Sequence, residues 1–259
     1  MSVEHLLEVR DLQVTHGDRR IASIPELTLG PAECVGIVGE SGSGKTTSLL
    51  ALLGLLGRDF HVSGAARVCG VDVIGAEERE VAAVRGSRIA LVMQNPQGSL
   101  NPTMRLGTLM KRALAQHGVK GPAARNRIAE ALSSVGLPEG VARRYPHQVS
   151  GGQAQRFGIA IAVALGAEVI AADEPTSALD VTVQAGVVHV LQRLREERGM
   201  GLLLVSHDLA LVSTVADRVL VMRHGEVVES GTARSVLAAP AHDYTRELLA
   251  AVPTLGAAG

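Results

Sequence analysis

An α/β fold with a largely parallel central sheet is what this sequence predicts. Three short apolar runs of buried-strand type carry that reading: "CVGIV" at 34–38, "VIAAD" at 169–173 and "GLLLVS" at 201–206. Helical stretches separate them, and strands alternating with helices favour parallel pairing. A block from 105 to 165 reads as helix only, an insertion into that sheet.

The elements follow in order. Leu6 to Thr15 alternates apolar and polar residues, the period of a half-buried strand. Leu27 to Val38 holds two more strand-like runs, the second ending at Gly39. An apolar helix is expected from about Gly44 to Leu56, and strands over Arg67–Val73 and Ile89–Met93. The helical block breaks at Gly118, at Gly136–Pro138 and at Pro146. Val183, Val187, Val190, Leu191 and Leu194 mark one face of a later helix, with Arg193, Glu196, Glu197 and Arg198 on the other. A short helix follows strand 201–206, then two strands near 218–223 and 226–230, then helices ending near Val252. With no internal repeat or linker, the chain reads as one domain over 1–259. Residues 1–94 and 166–230 form its core, 95–165 an inserted helical subdomain and 231–259 a helical tail.

Composition narrows the function classes. Twenty-five basic and 26 acidic residues leave a net charge of -1, with no basic run to track a phosphate backbone. Two Phe, two Tyr and no Trp give little for bases to stack on, so no nucleic-acid partner is expected. The longest apolar run, Phe157 to Ala167, is half of the roughly 20 residues a membrane span needs. Charges in "MSVEHLLEVRDL" exclude a signal peptide there, so a soluble cytoplasmic protein is expected. Cys34 and Cys69 fit neither a metal spacing nor a disulfide framework and are expected to be reduced.

The chemistry sits in two motifs. "GESGSGKTT", 39–47, matches G-x-x-x-x-G-K-[ST] between a strand and a helix, the context a phosphate cradle requires. Gly39, Ser41, Gly42, Ser43 and Gly44 are its loop candidates. Their backbone N–H groups and the helix N-terminus favour phosphate oxygens. Lys45 reaches the β/γ phosphates, the Thr46 hydroxyl can ligate Mg²⁺, and Thr47 supports the α-phosphate. Asp173 ends the strand "VIAAD" and is placed to hold Mg²⁺; Glu174 after it is the candidate general base. Asp180 and His207 have local readings too: a helix cap for the first, and a polar neighbour of the cap Asp208 for the second.

A second stretch, "VSGGQAQR" at 149–156, raises a question. Ser150 and Gln153 are spaced as a capping box, but a cap does not need two glycines in its first turn, each costing about 1 kcal/mol relative to alanine.

Together, "GESGSGKTT", "MQNP", "VSGGQAQR", "VIAADEPTSALD" and "LLLVSHDL" resemble, in order and over nearly the whole chain, an ABC transporter nucleotide-binding subunit. The resemblance implies a P-loop NTPase of ABC type, with an antiparallel β subdomain and an inserted α-helical subdomain beside the parallel sheet. It implies ATP and Mg²⁺ as ligands and hydrolysis coupled to transport. Gln94 resembles the glutamine that links the metal site to the membrane subunits. Glu174 resembles the catalytic carboxylate, and His207 the switch histidine that contacts the γ-phosphate. Asp180 lies in the D-loop. Ser150, Gly151, Gly152 and Gln153 resemble the signature that closes, in a head-to-tail dimer, over ATP held by the partner; the glycines would let backbone approach the γ-phosphate.

"MQNPQGSLNP", "YPHQVSGGQ" and "AHDYTRELLAAVP" resemble the peptide and nickel importer branch. That branch implies two membrane-spanning permease subunits, a second ATPase (a paralogue or another copy), an external substrate-binding protein, and a place at the cytoplasmic face of the membrane. The cargo would be peptides, nickel or a metal–chelator complex. Two alternatives have other consequences: an exporter ATPase, or a non-transport ABC protein acting on ribosomes or DNA. The single copy of each motif and the lack of sustained heptads argue against the last. Three departures stand out. Val149 replaces the usual leucine of the signature. His16 lies near where an aromatic ring stacks on adenine, and reads equally as a turn histidine before Gly17. Some relatives continue into a cysteine-bearing tail; both cysteines here lie early, so no iron–sulfur cluster is expected.

Overall fold

The structure, a computed structural model, describes residues 5–177 and 179–251. It opens with an antiparallel hairpin of β1 (Leu7–His16) and β2 (Arg19–Leu29). Leu7, Val9, Leu12 and Val14 of β1 and Ala22, Ile24, Leu27 and Leu29 of β2 are buried, a period of two that slips by one residue between Val9 and Leu12 and between Ile24 and Leu27. The sequence showed β2 only from Leu27. Pro25 and two arginines obscure its start, yet Ile24 and Glu26 still pair with Leu12 and Arg10 around the proline.

Next come β3 (Cys34–Val38) and α1 (Lys45–Leu52). The helix ends four residues before the expected Leu56. Gly54 N–H bonds the Ala51 carbonyl and Leu55 N–H the Leu50 carbonyl, a Schellman closure. The single strand expected over 67–73 is instead a hairpin of β4 (Phe60–Val68) and β5 (Val71–Asp72). Cys69 and Gly70 turn it at φ 47° and 83°, the signs of a type I′ turn. A two-residue turn preserves a period of two, so the alternation runs through it unbroken. The short helix α2 (Glu78–Val84) was not expected; only Val81 and Val84 of it are buried, too few to show a helical period.

β6 (Ile89–Val92) leads into α3 (Pro96–Ser99), α4 (Leu106–Gln116), α5 (Gly121–Ser134), two 3₁₀ turns at Glu139–Arg143 and Pro146–Gln148, and α6 (Gly151–Leu165). The chain continues through β7 (Val169–Asp173), α7 (Val181–Arg198), β8 (Gly201–Ser206), α8 (Leu209–Val215), β9 (Arg218–Arg223), β10 (Glu226–Thr232), α9 (Ala233–Ala238) and α10 (Asp243–Ala250). The expected helix end near Val252 lies outside the described residues.

Among the described residues ten strands form one sheet in the order β5-β4-β1-β2-β10-β9-β3-β8-β7-β6. From β9 to β6 every pairing is parallel, and from β5 to β2 every pairing is antiparallel. β10 joins the halves, antiparallel to β9 and bridged to β2 at Glu226 and Ser23. The three central strands are buried on both faces. Cys34, Val38, Ile170, Ala172, Leu202 and Leu204 join a core under the helices that includes Phe157 and Leu194. Val35, Ile37, Val169, Ala171, Leu203 and Val205 join a second core with Leu7, Ile24 and Leu49. Continuous apolar runs are the sequence form of such strands. Their carboxyl ends lie side by side, where open parallel sheets gather their sites.

Candidate functional site

The loop after β3 turns into α1 with its backbone packed tightly. A Cβ on Gly39 would lie 2.1 Å from the Met222 carbonyl oxygen of β9, so only glycine fits there. Lys45 is buried, and its Nζ donates to the Gly39 and Glu40 carbonyls, each at 2.7 Å, and to Ser43 Oγ at 3.3 Å. Burial lowers the Lys45 pKa, while Glu174, Asp173 and Glu40 oppose the shift. Ser43 is buried with it; Ser41 and Gly42 are exposed at the rim, and Thr47 is half-buried in the first turn of α1.

Strand β7 brings the carboxylates. Thr46 Oγ1 donates to Asp173 Oδ1 at 3.0 Å. Burial raises the Asp173 pKa and Glu174 adds to the rise, against the Thr46 hydrogen bond and the Lys45 charge. Glu174 then leaves the strand at φ 45°, with its N–H held by the Val205 carbonyl at 2.8 Å. A left-handed backbone is uncommon outside glycine, and here it turns the carboxylate away from the strand direction.

Three strand ends meet at Glu174. Gln94, two residues after β6, donates from Nε2 to Glu174 Oε2 at 3.3 Å and to Ser177 Oγ at 2.8 Å. His207, one residue after β8, places Nδ1 2.9 Å from Glu174 Oε1. That contact engages one ring nitrogen and leaves Nε2 as the other. The sequence reading did not single out Ser177, which bonds both the Gln94 side chain and the Glu174 carbonyl.

The structure does not bring the segment 150–153 into this cluster. Among the described residues no hydrogen bond joins it to 39–47, 173–174 or 207. Ser150 and Gln153 form the capping box at 3.3 and 3.2 Å. Gly152 has a reason within this chain: a Cβ there would lie 2.2 Å from Val183 Cγ1 on α7. Gly151 is exposed, so the two glycines differ in what surrounds them. Asp180 caps α7, accepting from the Val183 N–H at 3.0 Å, and Asp208 caps α8 through the Leu211 N–H at 3.0 Å. The His16 ring packs on Phe60, with centroids 4.9 Å apart, at the far end of β1.

Gln97 and Gln155, given no role in the sequence analysis, tie the Gln94 segment to α6. Gln97 Nε2 donates to the Val149 carbonyl at 2.7 Å, and Gln155 Nε2 to the Met93 carbonyl at 3.3 Å. Beside them lies a mostly apolar groove of about 290 Å³, lined by Leu55, Leu91, Met93, Leu100 and Leu165 among others. Leu55 and Met93 are each 45% exposed.

A Mg²⁺ here would be held by the Thr46 hydroxyl, the Asp173 carboxylate and the Gln94 side-chain oxygen. All offer the oxygen that this hard cation requires, and the Thr46–Asp173 contact shows that two of them converge. Among the described residues no three His, Cys, Asp or Glu side chains cluster as a metal cage. A Mg²⁺ here would therefore share its coordination with phosphate and water.

Comparison with known proteins agrees with this geometry. The family described as "ABC transporter" matches residues 23–177. The chain is 41% identical to the oligopeptide transport ATP-binding protein OppD of Salmonella typhimurium, over 98% of this chain and 78% of that one. It is 40% identical to the dipeptide transport ATP-binding protein DppD of Haemophilus influenzae, over 96% of this chain and 78% of that one. Its fold is similar to an ATP-binding cassette solved as a dimer in a post-hydrolysis state with ADP and Pi. The TM-score is 0.76 and the identity 27%, over 88% of this chain and 99% of the other. By sequence, by fold and by motif order, the chain belongs to the ABC transporter family and is one of its ATPases.

Proposed function

We propose that this chain is the ATP-hydrolysing subunit of an importer of peptides. The observation that carries the catalytic part is the Glu174 carboxylate, held between Gln94 and His207 at the end of the strand that also supplies Asp173. In this reading Lys45 and the loop N–H groups hold the β/γ phosphates. Glu174 orients the attacking water and takes its proton, and His207 faces the γ-phosphate through Nε2. Thr46, Asp173 and Gln94 hold Mg²⁺, which neutralises charge on the phosphates when bound. Ser150, Gly151, Gly152 and Gln153 close on ATP carried by a second ATPase subunit. The dimeric cassettes it resembles support that pairing. Asp180 lies at the same interface. His16, on Phe60, is the candidate adenine contact.

The relatives' names support peptides over nickel or metal–chelator complexes as cargo. The apolar groove beside Gln94 suits a helix from a permease subunit, because Met93 and Leu55 are exposed there and the same loop bonds Glu174. Two permease subunits, an external substrate-binding protein and a position at the cytoplasmic face complete the proposed assembly. Among the described residues no helix is long and apolar enough to cross a membrane, so attachment would come through those partners.

The test is Glu174→Gln in the assembled transporter. Size and hydrogen bonding are kept but the basic carboxylate is lost. ATP binding should survive, while hydrolysis and peptide uptake into vesicles should fall at least a hundredfold, the scale of a lost general base. Wild-type hydrolysis by that variant would refute the assignment of Glu174. Normal hydrolysis that no peptide-loaded binding protein stimulates would refute the cargo.

A further inference from the structure

Helix α10 reaches back to the cradle. The Tyr244 side chain is 1% exposed, and its hydroxyl accepts a hydrogen bond from the Glu40 N–H at 2.9 Å. Glu40 is the second residue of "GESGSGKTT". Its carbonyl and that of Gly39 are the two acceptors that hold Lys45 Nζ at 2.7 Å. One phenol, 204 residues away in sequence, therefore holds the peptide unit between those two carbonyls.

The tyrosine is itself held from several sides. The Arg223 guanidinium lies 4.6 Å from its ring centroid, at the end of β9. Glu229 of β10 accepts the N–H groups of Ala241 and His242 at 2.8 and 3.0 Å, fixing the approach to α10. His242 Nδ1 accepts the Tyr244 N–H at 3.1 Å. Arg246 closes the first turn onto the Pro240 and Ala241 carbonyls at 2.6 and 3.0 Å. Burial pushes the phenol above its ordinary pKa, so the hydroxyl keeps its proton. Arg223 holds the ring, the other bonds fix the backbone that carries it, and the hydroxyl oxygen so placed meets the Glu40 N–H.

We infer that Tyr244 is a positioning residue for nucleotide binding: through the Glu40 N–H it fixes the Gly39–Glu40 peptide, and so the place of Lys45. This rests on the reading of residues 39–47 as the phosphate cradle. Without the hydroxyl, Glu40 N–H loses its partner and the loop must be ordered by the nucleotide itself. The cost then falls on binding and not on the chemical step, because Glu174, Gln94 and His207 do not touch Tyr244.

The experiment compares the native chain with Tyr244→Phe and Lys45→Ala, in the assembled transporter for turnover and as the isolated subunit for binding. Tyr244→Phe keeps the ring and its Arg223 contact. A hydrogen bond's net worth of about 1 kcal/mol corresponds to about a fivefold change. Tyr244→Phe should raise the Kd of a fluorescent ATP analogue and the KM for ATP by about that factor, with kcat within twofold. A merely structural role would lower the melting midpoint but leave the Kd and the split between KM and kcat unmoved, and that result overturns the inference. If Tyr244→Phe binds as the native chain does while Lys45→Ala loses binding, the cradle stands and the inference falls. If Lys45→Ala keeps native affinity, the cradle reading fails and takes the inference with it. Should Tyr244→Phe not fold, amide hydrogen exchange in the nucleotide-free native chain decides. Protection of the Glu40 amide well above that of exposed Ser41 and Gly42 supports the hydrogen bond, and exchange as fast as theirs overturns it.

Discussion

Asp173 shows how burial sets the charge cost of a single residue. Its pKa is raised chiefly by burial, with Glu174 adding to the effect. A carboxyl whose pKa rises on folding favours the folded state only where it is protonated. That contribution is present below the ordinary aspartate value and is lost as pH rises through the raised one. At neutral pH the ionised form therefore costs stability. Asp173→Asn removes the cost and keeps an acceptor for Thr46. We expect the melting midpoint of the nucleotide-free chain to rise at pH 7, and the gain to vanish below about pH 4. Mg²⁺-dependent hydrolysis should be lost in the same variant. An unchanged or lower midpoint at pH 7 would show that the environment of Asp173 favours its charge. The identity and order of Lys45, Thr46, Asp173, Glu174 and His207 were legible in sequence. Ser177, Gln97, Gln155 and Tyr244 lie within the quoted stretches but carried no assigned role, because each bonds a partner far along the chain that local spacing does not show.

At the scale of elements, the start of α6 carries two demands. Its capping box needs only Ser150 and Gln153. Gly152 is also where α7 crosses, and the 2.2 Å from its virtual Cβ to Val183 leaves no room for a methyl group. Alanine would add roughly 1 kcal/mol of helix propensity but must displace Val183, at an overpacking cost of about 1–3 kcal/mol. Gly152→Ala should therefore lower the unfolding free energy of the isolated chain. Adding Val183→Ala should recover part of that loss, a non-additive pair in a double-mutant cycle. Strict additivity would mean that the two helices do not meet there. The sequence alone left this glycine to the nucleotide of a partner; the α6–α7 crossing gives it a second reason. The hairpin at 67–73 was hidden for a similar cause. Alternation reports a period but not where the chain reverses, and the reversal became visible only from the backbone of Cys69 and Gly70.

At the scale of the whole molecule, the cradle and the segment 150–153 have no hydrogen bond between them within one chain, among the described residues. Two copies, or this chain and a paralogue, would complete each other's sites. Glu174→Gln should accumulate the closed ATP-bound pair. Ser150→Arg puts a bulky cation at the start of α6, so each monomer should still bind ATP while closure fails. The double variant should bind ATP and stay open, read by size exclusion with ATP and Mg²⁺ or by crosslinking in the assembled transporter. A double variant trapped closed as readily as Glu174→Gln would show that "SGGQ" does not close on nucleotide.

The sequence by itself determined the glycine-rich strand–loop–helix proposed as the phosphate cradle, the parallel core and the helical insertion. These rest on local chemistry: apolar runs, glycines before a helix, and carboxylates at a strand end. Only the tertiary structure decided that β1, β2, β4 and β5 extend the same sheet, that Glu174 bonds both Gln94 and His207, and that a tyrosine near the C-terminal end supports the loop at residue 40. The β10–β2 bridge that ties the hairpins to the parallel strands, the bonds at Glu174 and the Tyr244 contact each join segments dozens to hundreds of residues apart. Hydrophobic period and turn chemistry act over a few residues, so they place the elements, whereas the closing of long loops by packing decides which side chains meet.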